Sequence, residues 1–151
     1  MIDFKFRDFL AQLLFKFTLL SLFVHEYGHL LAVRLMGYEG EIRSSALASV
    51  YLTSAQGITE LEYRFFYLSG GLFQAAVFLL MCISNEDAEN RLVNKMVAVY
   101  GVVYGCFEAF TPRVWWSAGG VAGILLAVVF MGATLVAKNK LAQSPVPPIV
   151  G

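Results

Sequence analysis

The chain has 151 residues, of which 58% are hydrophobic and 15% charged, and its formal net charge at pH 7 is zero. Soluble domains carry charge on about a quarter of their residues, so this composition excludes an ordinary water-soluble domain and indicates an integral membrane protein. The 11 basic and 11 acidic residues leave no positive excess to bind phosphate, so nucleic acid is not an expected partner.

Four apolar segments are long enough to cross the hydrocarbon core of a bilayer, which takes about 20 helical residues. They cover residues 9–36, 65–83, 92–110 and 114–136. No small-residue cleavage site follows the first segment, so we expect it to be retained rather than removed as a signal peptide. The sequence therefore predicts an all-α, multi-pass integral membrane protein with about four transmembrane helices, which we assign to the cell membrane.

The connections between these segments differ in length. Short polar turns at residues 84–90 and 111–113 predict two tight helical hairpins. The longer connection, residues 37–64, has a centre of serine, alanine, β-branched and aromatic residues between two glycine-containing turn signals, which predicts a short strand or hairpin at the membrane surface. The proline-rich residues 138–151 predict a disordered tail, so residues 1–137 are expected to form a single polytopic domain.

The first segment contains His25-Glu26-Tyr27-Gly28-His29, an HExxH motif that includes both histidines of the chain. Residues four apart lie above one another on a helix face, so His25 and His29 can provide two ligands for one Zn²⁺. Glu26 lies one step round the helix and can accept a proton from water activated by the metal. The alternative is a buried polar network in which these side chains hold helices together.

A catalytic zinc needs a third protein ligand, and Glu108 is the other carboxylate deep in an apolar segment. The first and third segments run in the same direction, and both His29 and Glu108 lie near the ends of their segments, close to one membrane face. We expect Glu108 to be the third ligand, because an intramembrane acid usually has a partner. The alternative is an ion pair between Glu108 and Arg113 at the membrane interface.

The second segment contains a glycine pair, Gly70 and Gly71, followed by Gln74. Paired glycines commonly allow close helix packing. Alternatively, Gly70, Gly71 and Gln74 bind an unwound substrate near the zinc, since irregular backbone is tolerated at membrane depth when protein surrounds it. The residues leave both interpretations open. Three glycines of the fourth segment are interpreted as packing residues only: Gly119, Gly120 and Gly123.

The sequence around the HExxH motif, FVHEYGHLLAVRLMGYEGEIR, resembles the site-2 proteases, which are zinc intramembrane metalloproteases. The similarity extends over a core of three helices. A second helix of that family carries a Gly-Pro-x-x-Asn or Gly-Gly motif, which GGLFQ resembles with Gln74 in place of the usual asparagine. A third helix supplies an aspartate ligand from a Leu-Asp-Gly motif. This sequence lacks that motif and has Glu108, in CFEAF, on the equivalent helix.

The resemblance implies a zinc-dependent endopeptidase that cleaves a transmembrane helix of a membrane-protein substrate, as in regulated intramembrane proteolysis. It implies one Zn²⁺ per chain with the HExxH histidines His25 and His29 as ligands and Glu26 as general base, and Glu108, chosen above from its position, would take the place of the family's aspartate. The main alternative is a non-catalytic pseudoprotease or assembly factor of the same fold that binds client helices, which the missing Leu-Asp-Gly motif favours. A membrane metal-handling protein is a third interpretation.

The connection at residues 37–64 is expected to pair with an extended substrate as an added strand. Proline at Ser49 or Tyr51 is then expected to impair cleavage without unfolding the protein.

Overall fold

The computed structural model describes residues 6–44, 48–53, 57–84 and 87–143. The first long helix runs without interruption through three parts, α1 (Phe6–Leu14), a π-helical turn (Phe15–Leu20) and α2 (Ser21–Leu35). A hairpin and three further helices follow: β1 (Gly40–Ser44), β2 (Ala48–Leu52), α3 (Glu60–Ser84), α4 (Ala88–Phe110) and α5 (Trp116–Gln143). A 3₁₀ turn, Arg113–Trp115, leads into α5.

Three helices in the described part of the chain are long and apolar enough to cross a membrane: Phe9–Leu35, Glu60–Ser84 and Arg113–Ala137. The predicted span at residues 92–110 corresponds to α4, which does not belong to this group. α4 packs between α3 and α5, and it buries the polar side chains of Asn94 and Glu108. Protein therefore surrounds much of α4, which explains why its sequence is less apolar than that of the other three helices.

The apolar core lies where α3 and α4 pack against α1 and α5. Phe78, Val93 and Val97 are among its fully buried side chains. Large apolar residues also point away from the bundle, as Leu80 on α3 and Val129 on α5 do. Extended apolar surface of this kind is typical of a protein that contacts lipid.

A buried lysine joins the first helix to α4. Lys16, in the π-helical turn, donates hydrogen bonds to Oδ1 of Asn90 at 2.8 Å and to Oδ1 of Asn94 at 2.7 Å. A charged group in apolar surroundings needs such partners. Because α2 continues directly from the π-helical turn, this contact helps to set which face of α2 is turned toward α4.

Three glycines, one on α3 and two on α4, bring these helices to backbone contact. A Cβ atom at Gly71 would overlap the carbonyl oxygen of Gly101 and lie 2.8 Å from the Cα of Gly105. Backbone atoms cannot turn aside as a side chain can, so position 71 requires glycine. This contact is one of the two roles that the sequence left open for the glycine pair.

β1 and β2 form an antiparallel hairpin between the first helix and α3, with Gly40 opposite Leu52 and Ser44 opposite Ala48. The chain leaves α2 through Gly37, whose φ of 81° favours glycine, and β2 then packs against α2. The predicted surface strand therefore corresponds to a hairpin that begins earlier, at Gly40. Residues 45–47, at its turn, lie outside the described residues.

The C-terminal helix is longer than predicted. α5 continues to Gln143, through the first part of the segment that the sequence assigns to a disordered tail. Residues 144–151, the rest of that segment, lie outside the described residues.

Gly71→Ala is expected to lower the thermal stability of the purified protein in detergent, because overpacking a helix contact costs about 1–3 kcal/mol. Gly120→Ala is the matched control. Its new Cβ atom meets nothing closer than 3.8 Å, and alanine is favoured over glycine in a helix by about 1 kcal/mol. Thermal unfolding followed by circular dichroism measures both variants, and equal melting temperatures would contradict the close contact of α3 with α4.

Candidate metal centre

α2 turns a polar and small-residue face toward the interior of the protein. The buried residues on this face recur at steps of three and four along the helix: Ser21, His25, Gly28, His29 and Ala32. Such residues share one side of a helix. Phe23 and Tyr27 are exposed on the other sides of α2, so both histidines of the HExxH motif point into the protein.

His25, His29 and Glu108 meet in one buried cluster, with side chains that are 4–8% exposed. The Nε2 atom of His25 lies 3.0 Å from Nε2 of His29 and 2.9 Å from Oε2 of Glu108. Nε2 of His29 lies 3.7 Å from the same carboxylate oxygen. The ligand atoms of a tetrahedral zinc site are about 3.3 Å apart. The observed distances fall on either side of that value, and the three residues can hold a metal ion.

Hydrogen-bond partners on the far side of each imidazole determine where its proton lies. Nδ1 of His29 is 2.7 Å from the carbonyl oxygen of Phe66, which can only accept a hydrogen bond, so Nδ1 donates. The amide nitrogen of Gln74 donates to the carbonyl oxygen of Val97 at 3.1 Å. Its Oε1 therefore faces Nδ1 of His25 at 3.2 Å, and this Nδ1 also donates. Such outer partners commonly orient histidine ligands toward a metal.

Three acceptor atoms therefore converge in the cluster, because both Nε2 atoms present lone pairs to each other and to the Glu108 carboxylate. Buried acceptors without a donor are strongly unfavourable. One proton on Nε2 of His25 would satisfy a single contact, whereas a metal ion binds all three atoms. The arrangement thus favours a metal site over a purely hydrogen-bonded network of the same residues.

Glu108 turns inward rather than toward the connection that follows α4. Its carboxylate contacts His25 and His29, and among the described residues no ion pair joins it to Arg113. The sequence alternative of a Glu108–Arg113 pair is therefore not what the structure contains.

Glu26 lies on α2 next to the metal ligands and borders a cavity of about 290 Å³. Its Oε2 atom accepts a hydrogen bond from the backbone N–H of Val50 at 2.9 Å. We call the cavity that Glu26 borders the Glu26 cavity. It is lined by Glu26, His29, Val50, Leu52, Phe66, Tyr67, Glu108, Arg113 and Trp116. The carboxylate that the motif assigns to proton transfer and two of the candidate metal ligands, His29 and Glu108, thus line the same cavity.

One edge of β2 faces the Glu26 cavity. Residue pairs in an antiparallel hairpin alternate between hydrogen-bonded and non-hydrogen-bonded. Val50 uses its N–H for Glu26, so its pair with Ile42 is non-hydrogen-bonded, and by alternation so is the pair of Leu52 with Gly40. The N–H groups of Val50 and Leu52 therefore point outward, and both residues line the cavity.

This register changes how the strand-addition hypothesis should be tested. Ser49 and Tyr51 belong to the alternate pairs, in which N–H groups bond to β1. Proline at either position would disrupt the hairpin itself. Leu52 is the informative position, because its N–H is outside the ladder.

The three candidate substrate-binding residues of α3 occupy different places. A Cβ atom at Gly70 would lie 2.5 Å from Nε2 of His29 and 2.7 Å from Nε2 of His25. The Gly70 backbone therefore forms a wall of the cluster of His25, His29 and Glu108. Gly71 lies at the contact with α4. Gln74 is 0% exposed and has both ends of its amide bonded. Neither Gly71 nor Gln74 lines the Glu26 cavity, and Gln74 orients His25.

Sequence reasoning missed the backbone groups of Phe66 and Val50 and the aromatic wall of the cavity. Backbone carbonyl and N–H groups are present at nearly every residue and leave no pattern in a sequence. The wall includes Tyr67 and Trp116. Tyr63 and Tyr67 are spaced four residues apart just before the glycine pair, and this spacing could have indicated an aromatic face near the site.

Comparison of this chain with models of protein families, with curated proteins and with solved structures finds no match. The resemblance to site-2 proteases therefore stays a prediction from the sequence. The functional assignment depends on the cluster of His25, His29 and Glu108, on the Glu26 cavity and on the helices that hold them.

Wild-type protein purified without chelator is expected to contain about one metal ion per chain. His29→Ala and Glu108→Ala are expected to lose the metal, because each removes one of three ligands. Glu89→Ala is the matched control, since Glu89 lies at the opposite end of α4. Elemental analysis measures all four proteins. Metal retained in Glu108→Ala would refute the third ligand, and its absence from the wild type would support the hydrogen-bonded network.

Proposed function

We propose that this protein is a zinc-dependent intramembrane endopeptidase that hydrolyses a peptide bond in a transmembrane helix of its substrate, as the site-2 proteases do. The observation that carries the proposal is the convergence of three acceptor atoms, from His25, His29 and Glu108, beside a cavity that also contains Glu26. Two imidazoles and one carboxylate form a ligand set used by catalytic zinc in hydrolases.

The residues around the cluster supply the remaining parts of a hydrolytic site. When bound, Zn²⁺ polarises the scissile carbonyl and lowers the pKa of a water molecule. Glu26 accepts the proton of the attacking water and passes it to the leaving amine. The Val50 N–H occupies Oε2 of Glu26 and leaves Oε1 for that proton. Phe66 and Gln74 keep the histidine Nε2 atoms turned toward the metal.

The surroundings of the site favour a membrane-embedded substrate. His25, Glu26 and His29 belong to Phe9–Leu35, which is long and apolar enough to cross a membrane. A substrate helix hides its amides in internal hydrogen bonds, so its backbone must unwind before attack. The N–H of Leu52, which lies outside the β1–β2 ladder at the cavity edge, offers a hydrogen bond to an unwound, extended segment, as in strand addition. These features support a location in a membrane, and we propose the cell membrane.

Glu26→Gln is expected to retain zinc and to lose cleavage of a transmembrane peptide by at least about 100-fold, because an amide cannot accept the proton. Cleavage is measured by mass spectrometry of the products in detergent, and zinc by elemental analysis. Glu89→Gln is the control and should cleave at the wild-type rate. Turnover by Glu26→Gln near the wild-type level would refute its role. A zinc-loaded wild type that cuts no peptide would support the non-catalytic alternative.

Leu52→Pro is expected to slow cleavage by about tenfold, because it removes an N–H that faces the cavity without removing a hydrogen bond of the hairpin. Ile42→Pro is the matched control. Its N–H points outward from β1, on the hairpin edge opposite to the cavity side. Initial rates and zinc content are compared for both variants. Equal rates in the two variants would argue against pairing of the substrate with β2.

A further inference from the structure

A second cavity shares part of its wall, including Glu108, with the Glu26 cavity. Its volume is about 400 Å³, and its lining includes Glu60, Tyr63 and Arg64; we call it the Glu60 cavity. Both cavities are bordered by the same four side chains: Tyr67, Glu108, Arg113 and Trp116. A peptide that crosses the metal cluster can therefore place residues in both cavities, with Arg113 beside it.

The two arginines of this region differ in their partners. Arg64 donates from Nε to Oε1 of Glu60 at 3.1 Å, and its guanidinium lies over the ring of Phe110. Arg113 lies over the ring of Trp116, 5.6 Å from the ring centroid. Among the described residues, no hydrogen bond or ion pair joins the Arg113 guanidinium to another side chain. Stacking on Trp116 thus holds this charge at the cavity wall while all of its donors stay available.

The charges of the cavities favour an anionic group as the occupant near Arg113. Glu60 is paired with Arg64, Glu108 would be a ligand of the metal ion, and Glu26 accepts a hydrogen bond from the Val50 N–H. Arg113 is therefore the charge on the shared wall that no carboxylate of the described residues neutralises. Cationic ligands are disfavoured, because arginines already cover the faces of Phe110 and Trp116. A guanidinium matches a carboxylate in shape and charge and binds it through two parallel hydrogen bonds.

We propose that Arg113 binds a carboxylate of the substrate, so that the enzyme selects peptide segments with an acidic group close to the scissile bond. The inference rests on the proposed proteolytic function and names the substrate class for the same site. The carboxylate can belong to an internal aspartate or glutamate or to the C-terminus of the peptide.

The test compares apolar peptides that differ in one group, with the zinc-loaded full chain in detergent. One series is amidated at the C-terminus and carries either glutamate or glutamine at successive positions around the scissile bond. A further peptide, outside this series, carries glutamine and a free C-terminal carboxylate. Wild type is expected to favour at least one carboxylate-bearing peptide by about tenfold or more in kcat/KM. The peptide that is favoured identifies the source of the carboxylate.

Arginine variants test whether Arg113 causes the preference for carboxylate-bearing peptides. Arg113→Gln is expected to remove the preference by raising KM for the acidic peptide alone. Arg113→Lys is expected to keep part of the preference, since lysine retains the charge but not the planar pair of donors. Arg91→Gln is the control and should keep the preference, because Arg91 lies at the opposite end of α4 from Glu108 and lines neither cavity. A preference that persists in Arg113→Gln, or none in wild type, would overturn the proposal.

Binding measurements separate this inference from the proposed function. The Kd of each peptide is measured by fluorescence anisotropy with Glu26→Gln, alone and combined with Arg113→Gln. If no peptide is cleaved by wild type, an Arg113-dependent difference between acidic and neutral peptides would still support carboxylate binding while the proteolytic function fails. If Arg113→Gln instead leaves peptide selectivity unchanged and weakens binding to phosphatidylglycerol vesicles, Arg113 binds lipid phosphate and the proposal is wrong.

Discussion

The structure depends on bringing two imidazole nitrogens and one carboxylate oxygen within 2.9–3.7 Å of one another in the interior of the protein. His25, His29 and Glu108 come from α2 and α4, and their acceptor atoms meet only because the helices pack closely. Gly70 leaves room for both imidazoles, and Gly71 lets α3 touch the backbone of α4. A metal ion at this point would offset the mutual repulsion of the acceptors and link the helices, so it would stabilise the same arrangement that helix packing produces.

Backbone groups do much of the positioning around this cluster. The carbonyl of Phe66 orients His29, and the N–H of Val50 holds the carboxylate of Glu26. Val50 belongs to the hairpin, which therefore couples the surface segment to the HExxH helix. The same strand presents the N–H of Leu52 to the Glu26 cavity. One short hairpin can thus hold the Glu26 carboxylate and, if the proposed function holds, offer a partner to an extended peptide.

Several charged side chains of this apolar protein have polar partners, and the partner of each side chain indicates its role. Lys16 is bonded to Asn90 and Asn94, which makes it a link between helices. Arg64 is paired with Glu60. Arg113 is stacked on Trp116 without such a pair in the described chain. The paired charges Lys16 and Arg64 therefore contribute to the structure, whereas Arg113, at the wall of both cavities, is suited to bind a ligand.

The sequence alone determined the membrane-protein composition, the main helices and the HExxH face, because apolar length and helical spacing are local properties. It also singled out Glu108, since an acid deep in an apolar segment needs a partner. Only the tertiary structure decided that Gln74 orients His25 and that Gly71 serves helix packing. Likewise, it placed Val50 on Glu26 and left Arg113 apart from Glu108. Those outcomes depend on which helix faces meet and where backbone groups point, and neither follows from local sequence pattern.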